Sequence, residues 1–395
     1  MLRILVMLLF LSGCTPMGTI KVDADEEIEI EQAQLQERNL LDVGVIVFKA
    51  GEISAEQAEE EAISTEIRQA EARYISYHLR ETLQKSSGWG AVNVLPSESE
   101  IADVIVEGEI LESTGEKLRL KVAVSDSTGE PWFENSYQVR VTRRDYAEID
   151  DENDYSEIYQ GMYNRIANDI NKHRKKLSEK QITSIRNTSE LEYAANLAPE
   201  IYRDYLVQNE HGHSTVVRLP AKDDPSLLRV LKIRERENLL VDTINEHYAN
   251  YYEEVHATYG NWRKYYLIES IEKRKVEREA KFKKLLGAAA ILGSAVILVK
   301  DGNISPSLVI AGVSLYADGA NASEEAAIHK EAIVELSESL QADVEPLVIE
   351  VDGETTELTG TLDEQYLQWR ALLQAIYKEE VGIPDATENK SFSDT

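Results

Sequence analysis

Residues 102–133 read ADVIVEGEILESTGEKLRLKVAVSDSTGEPWF. Within this stretch Leu118, Leu120, Val122 and Val124 alternate with Lys117, Arg119 and Lys121, so one set of side chains faces a core and the other faces water. A period of two marks a strand in a sheet with one wet face. Ser113-Thr114-Gly115 and Ser127-Thr128-Gly129 supply turn chemistry on either side of it. The pattern predicts strands over 103–111, 117–124 and 132–141.

Upstream, 42–49 (DVGVIVFK) and 92–95 are further strands. Between them, 59–85 carries Ile63, Ile67, Ala70, Tyr74, Tyr77 and Leu83 near helical spacing. The order is one strand, one helix and four strands, with the helix expected on the dry face. Downstream of Asp145 the periodicity turns helical, over 155–177 and over 189–208 with Pro199 as an interruption. A short extended piece at 214–219 precedes a long helix opening at Asp224-Pro225, an N-cap followed by proline at the first helical position. Its stripe Val241, Ile244, Tyr248, Tyr252, Val255, Tyr259, Trp262 and Tyr266 steps by 3 and 4, with Gly260 as the expected bend or break. Residues 347–351 and 355–358 flank Asp352-Gly353 as a hairpin, and 362–378 forms a final helix.

The expected fold class is α+β. An N-terminal α/β sandwich-like domain, one helix on a mostly antiparallel sheet, is followed by a mainly α-helical domain with an apolar helical hairpin and a small β-hairpin. The expected boundaries are 1–13 for a signal peptide, 14–39 for an acidic tether, 40–145 for the sheet domain, 150–382 for the helical domain and 383–395 for a frayed tail.

The 395 residues hold 42 basic and 72 acidic side chains, a net charge of −30 that disfavours nucleic acid as a partner. A single cysteine, Cys14, excludes an internal disulfide framework and a multi-cysteine zinc site. It stands at the end of MLRILVMLLFLSGC, where Arg3 precedes an apolar run too short to span a bilayer. Leu11-Ser12-Gly13-Cys14 resembles the lipobox of bacterial lipoproteins. The resemblance implies cleavage before Cys14, with diacylglycerol on its thiol and a fatty acyl group on the same residue; no other cofactor is expected. Thr15 is not the aspartate that retains such proteins at the inner membrane, which implies a Gram-negative outer membrane facing the periplasm. Two or three acyl chains hold firmly where one binds reversibly.

The topology of residues 40–142 is also similar to the small α/β domains of the curli-secretion lipoprotein and of the amino-terminal part of the Tol-system periplasmic protein. That resemblance is topological and carries over no functional residue; the rest of the chain departs from both families.

Residues 285–299, LLGAAAILGSAVILV, carry no charge and span ~22 Å as a helix, short of the ~30 Å hydrocarbon core. With 307–317 they predict a helical hairpin, read either as a buried core element or as a membrane or oligomer contact. Its candidate contact residues are Leu285, Leu286, Ile291, Leu292, Val296, Ile297 and Leu298. Of the 7 histidines, His211 and His213 share a loop and are the one metal pair worth testing; His247 and His256 fall on opposite sides of a helix. The basic run 263–284, interleaved with Glu269, Glu272, Glu277 and Glu279, reads as a solvated helix face. Tyr outnumbers Phe 19 to 5, and the seam with Trp262 and Trp369 is either a helix interface or a ligand platform.

Nucleophile-elbow, zincin, Walker and dinucleotide motifs are missing from the sequence. The expectation is a non-enzymatic, lipid-anchored scaffold or accessory factor in envelope assembly, its partners being the membrane, through the lipid, and an envelope protein. The alternatives are an oligomeric or membrane-inserting component that uses the 285–317 hairpin, and a cell-wall or glycan hydrolase.

Overall fold

The computed structural model describes residues 18–32, 35–52, 65–96, 101–149, 152–210, 212–221, 223–292, 347–351 and 354–381. Strands β1 (Thr19–Lys21), β2 (Val43–Ile46), β3 (Val92–Leu95), β4 (Val104–Ser113), β5 (Lys117–Asp126) and β6 (Pro131–Arg140) form one sheet in the order β1-β6-β5-β4-β2-β3. The β4-β5-β6 part is antiparallel, whereas β2 lies parallel to both β3 and β4. The mixed α+β class is the expected one.

On β5 the side chains of Leu118, Leu120, Val122 and Val124 are all buried, as their alternation requires. Helices α1 (Thr65–Lys85) and α3 (Gln160–Arg174) cover that face through Ile67, Ile75, Leu79, Ile166 and Ile170. Between β6 and α3 lie a short α2 (Arg143–Ala147) and a 3-10 segment, Glu152–Tyr159. The helix expected over 155–177 therefore begins later, at Gln160.

Ser178 caps α4 (Glu179–Leu197): its hydroxyl accepts from the Gln181 amide at 3.3 Å while the Gln181 side chain accepts from the Ser178 amide at 3.0 Å. Pro199 ends that helix and opens the single turn α5 (Pro199–Tyr202). The chain then leaves helix altogether, and β7 (Leu206–Gln208) pairs with β8 (Ser214–Val216). Asp224 caps α6 (Pro225–Leu292), its Oδ1 accepting from the amides of Ser226 and Leu227. A two-stranded sheet of β9 (Leu347–Val351) and β10 (Glu354–Leu358) precedes α7 (Leu362–Glu380), capped by Thr361 and Glu364.

α6 runs through Gly260 without a break. The cost of one helical glycine, about 1 kcal/mol against alanine, is offset by the burial of Tyr259 and Trp262 on either side of it. The seam is buried at Val241, Ile244, Tyr248, Val255, Tyr259, Trp262 and Tyr266, and Tyr252 is half-buried. Trp369 is likewise buried, against Tyr366 and Leu373 of α7. Neither tryptophan lies open as a platform.

The core is continuous across residues 145–152. One apolar cluster holds Val45 and Val122 of the sheet together with Tyr163 and Ile166 of α3 and Val255, Tyr259 and Trp262 of α6. A second joins α4, α6 and α7 through Leu191, Val230, Ile233, Val241, Ile244 and Tyr366.

Residues 18–31 are part of the body and not a solvated tether. β1 pairs in parallel with β6, and the Val22 amide donates to the Gln138 carbonyl at 2.8 Å. Farther on, Asn164 donates to the Glu26 carbonyl at 2.7 Å, and Asn168 both donates to the Glu27 carbonyl at 2.9 Å and accepts from the Glu29 amide at 2.8 Å. Side-chain amides of α3 thus do for this acidic segment what a neighbouring strand would do. Gly161 makes room for it, since a Cβ there would lie 2.4 Å from the carbonyl oxygens of both Asp23 and Ala24. The tail 383–395 lies outside the described residues.

Candidate functional site

Cys14, Val296, Ile297 and Leu298 lie outside the described residues, as does the second arm of the hairpin expected at 285–317. Leu285, Leu286, Ile291 and Leu292 lie on the last turns of α6. His211 is outside the description, and His213 places Nδ1 3.5 Å from an oxygen of Glu130. Among the described residues no group of three His, Cys, Asp or Glu side chains is placed to hold a metal ion.

Two polar clusters were not foreseen. Arg263, expected on a solvated helix face, is fully buried. It stands next to Trp262, on the side of α6 that meets the sheet domain, where counter-charge and aromatic rings await it. Its Nη1 donates to the Thr114 carbonyl at 2.8 Å and its Nη2 to Glu71 Oε1 at 2.9 Å, and it also bonds the Tyr259 hydroxyl. The rings of Tyr159 and Tyr259 lie 4.5 and 4.6 Å from the guanidinium carbon. Glu71 accepts in addition from Arg68 at 3.0 Å and from Tyr259 at 2.9 Å. The cluster ties α1, the β4–β5 turn and α6 together. Gly115 allows that turn its approach, because a Cβ there would lie 2.2 Å from the Arg263 carbonyl oxygen and 2.5 Å from the Leu267 nitrogen.

Close by, His78 Nε2 lies 2.6 Å from Gln160 Oε1 and its Nδ1 lies 2.8 Å from the Tyr252 hydroxyl. A carboxamide oxygen only accepts, so Nε2 carries the proton and Nδ1 accepts from Tyr252. Burial holds the imidazole neutral, pushing its pKa down to about 3 from the ordinary 6.5. Both clusters read as structural: Arg263 Nε is buried without a hydrogen-bond partner, and the other polar atoms named are spent on partners within the fold.

A cleft of about 430 Å³ has a different character. It opens where β2 and β4 begin, between α4 and α6. Thr183, Arg186, Asn187 and Glu190 of α4 line one wall, and Leu231, Arg234, Glu235 and Asn238 of α6 line the other. Each set follows the i, i+3, i+4, i+7 spacing of a single helix face. Asp42 and Asp103 form the floor and Arg38 the rim. Asp42 Oδ1 accepts from the Ala91 amide at 2.8 Å, and Asp103 Oδ2 accepts from the Asp42 amide at 3.0 Å, which aligns the starts of the strands. Asp103 is 4% exposed. Burial raises its pKa, against the lowering effect of the Asp42 amide, while Arg234 and Arg186 also favour the charged form.

No family model matches this chain, and neither the curated proteins nor the solved structures include a match. The sequence gives no sign of the cleft, because Asp42, Asp103, Arg186 and Arg234 come from four separate segments.

Proposed function

We propose that the protein is a lipid-anchored, periplasm-facing outer-membrane lipoprotein that acts as a non-enzymatic scaffold or accessory factor in envelope assembly, held at the membrane through Cys14 and working by contacts with an envelope protein. The lipobox-like residues 11–14 supply the anchor. The observation that carries the reading is the docking of residues 18–31 onto β6 and α3. From Cys14 to Thr19 the chain reaches at most ~17 Å even when fully extended. Such a leash keeps the whole body within a short distance of the acyl chains, an arrangement suited to partners that are themselves fixed in the membrane. Among the described residues no helix is long and apolar enough to cross a bilayer.

Mass spectrometry of the mature amino terminus and density-gradient fractionation of envelopes test the reading. The expected result is a triacylated Cys14 in the outer-membrane fraction, with Cys14→Ala released or left unprocessed. An unmodified amino terminus, or a lipidated protein confined to the inner membrane, overturns it.

A second reading has one observation in its favour: α6 continues as helix to Leu292, well into the apolar run. In that reading the run docks in lipid or in neighbouring copies of the chain. Flotation of the Cys14→Ala protein with liposomes separates the two, since binding abolished by Ile291→Asp supports the second.

A further inference from the structure

The cleft between α4 and α6 brings together three guanidinium groups, of Arg38, Arg186 and Arg234, and four carboxyl groups, of Asp42, Asp103, Glu190 and Glu235. Among the described residues no ion pair joins any of these arginines to any of these acids. The hydrogen bonds they do make run to the fold. Arg186 donates to the Glu37 carbonyl at 3.0 Å, and Arg234 donates to the Ile101 carbonyl at 2.7 Å and to the Ser189 hydroxyl at 3.0 Å. A guanidinium has five donors, so both keep N–H groups for another partner. Asp103 is nearly buried and has one oxygen engaged by the Asp42 amide; the other accepts nothing among the described residues.

Charges of both signs that share one concave site without forming ion pairs leave hydrogen-bonding capacity of both kinds for a ligand. A ligand carrying a single charge satisfies one set and is repelled by the other. A ligand carrying both signs a few bonds apart satisfies both. We propose that this cleft binds a small zwitterion, an amino-acid-like molecule or short peptide, with its carboxylate against Arg186 and Arg234 and its ammonium against Glu190, Glu235 and Asp103. A volume of about 430 Å³ falls in the range of small-molecule sites and leaves room for a short peptide. Asn187 and Asn238, one on each lining helix, offer amide groups to a peptide bond between the charged ends. The assignment is independent of the lipid anchor and stands or falls apart from it.

Isothermal titration of the full chain in detergent with tri-alanine, N-acetyl-tri-alanine and tri-alanine amide tests the proposal. Tri-alanine is expected to bind saturably, and each blocked peptide at least about tenfold more weakly, the loss of one charge-assisted contact. Glu190→Gln, which removes no hydrogen bond of the described fold, should abolish the preference for a free ammonium. Arg186→Gln should abolish the preference for a free carboxylate, with the near-ultraviolet dichroism of both variants unchanged. No saturable binding of tri-alanine, or equal binding of all three peptides, overturns the proposal.

Discussion

Replacing Arg263 by methionine keeps an unbranched apolar stem and removes the charged guanidinium. The substitution strips the Thr114 carbonyl of one of its two donors, the Tyr159 hydroxyl keeping the other at 3.0 Å, strips Glu71 of one of its two arginines, and empties the space between the rings of Tyr159 and Tyr259. Loss of the hydrogen bond between the guanidinium and the Glu71 carboxylate costs about 1.5–3 kcal/mol. Each desolvated contact between the cation and a ring adds up to about 2 kcal/mol. Relief of the guanidinium's own desolvation offsets part of this, leaving a net loss of about 3–5 kcal/mol, the range for breaking one side of a buried ion pair. Urea unfolding followed by tryptophan fluorescence measures it, because Trp262 adjoins the site. The decisive variant is the pair Glu71→Leu with Arg263→Met, which removes both charges and is expected to lose clearly less than the sum of the single losses. A single loss below about 1 kcal/mol, or strict additivity of the two, would refute the reasoning that the cluster is a cooperating buried network.

Three other outcomes follow from the same structure. Gly161→Ala should unseat residues 18–31 at a cost of about 1–3 kcal/mol, because its Cβ meets backbone and not a yielding side chain; hydrogen exchange should speed up at Val22 and Glu29 while β5 stays protected. His78 has a folded pKa of about 3 against 6.5 unfolded, so the stability it contributes is complete above 6.5 and is lost as pH falls from there toward 3. The full gap is worth roughly 5 kcal/mol, and the acid limb of the wild type should be correspondingly steeper than that of His78→Gln; parallel limbs would show that the imidazole is charged in the fold. Asn245→Ala should cost about 1–3 kcal/mol, read by chemical denaturation, since its amide accepts from the Val94 N–H at 2.8 Å and donates to the Val94 carbonyl at 3.0 Å, standing in for a strand beside β3.

What the sequence revealed was local. The alternation in β5, the Asp224-Pro225 start of α6 and the pair of strands β9 and β10 each depend on residues a few positions apart, where period and turn chemistry suffice. The helix–strand boundary near Leu206 did not show, because β7 exists only through its pairing with β8. Arg263 was read as solvated from its basic neighbours. Its burial depends on Glu71, 192 positions away, which no helical pattern displays. The acidic segment 18–31 looked like a tether for a similar reason: few apolar residues announce its packing, and the amides of Asn164 and Asn168 that hold it lie about 140 residues downstream. The cleft was illegible altogether, being a meeting of segments and not a motif.

The placement of β1 also orders events in time. Thr19 must find Ser136 across roughly 120 residues of chain, and residues 26–29 must find a completed α3, so these contacts carry the largest closure entropy and form late. The first segment of the described chain is thus among the last to settle. On the proposed lipoprotein reading, Cys14 would be acylated before residues 18–31 dock, and the folding of the body would then draw the attachment in.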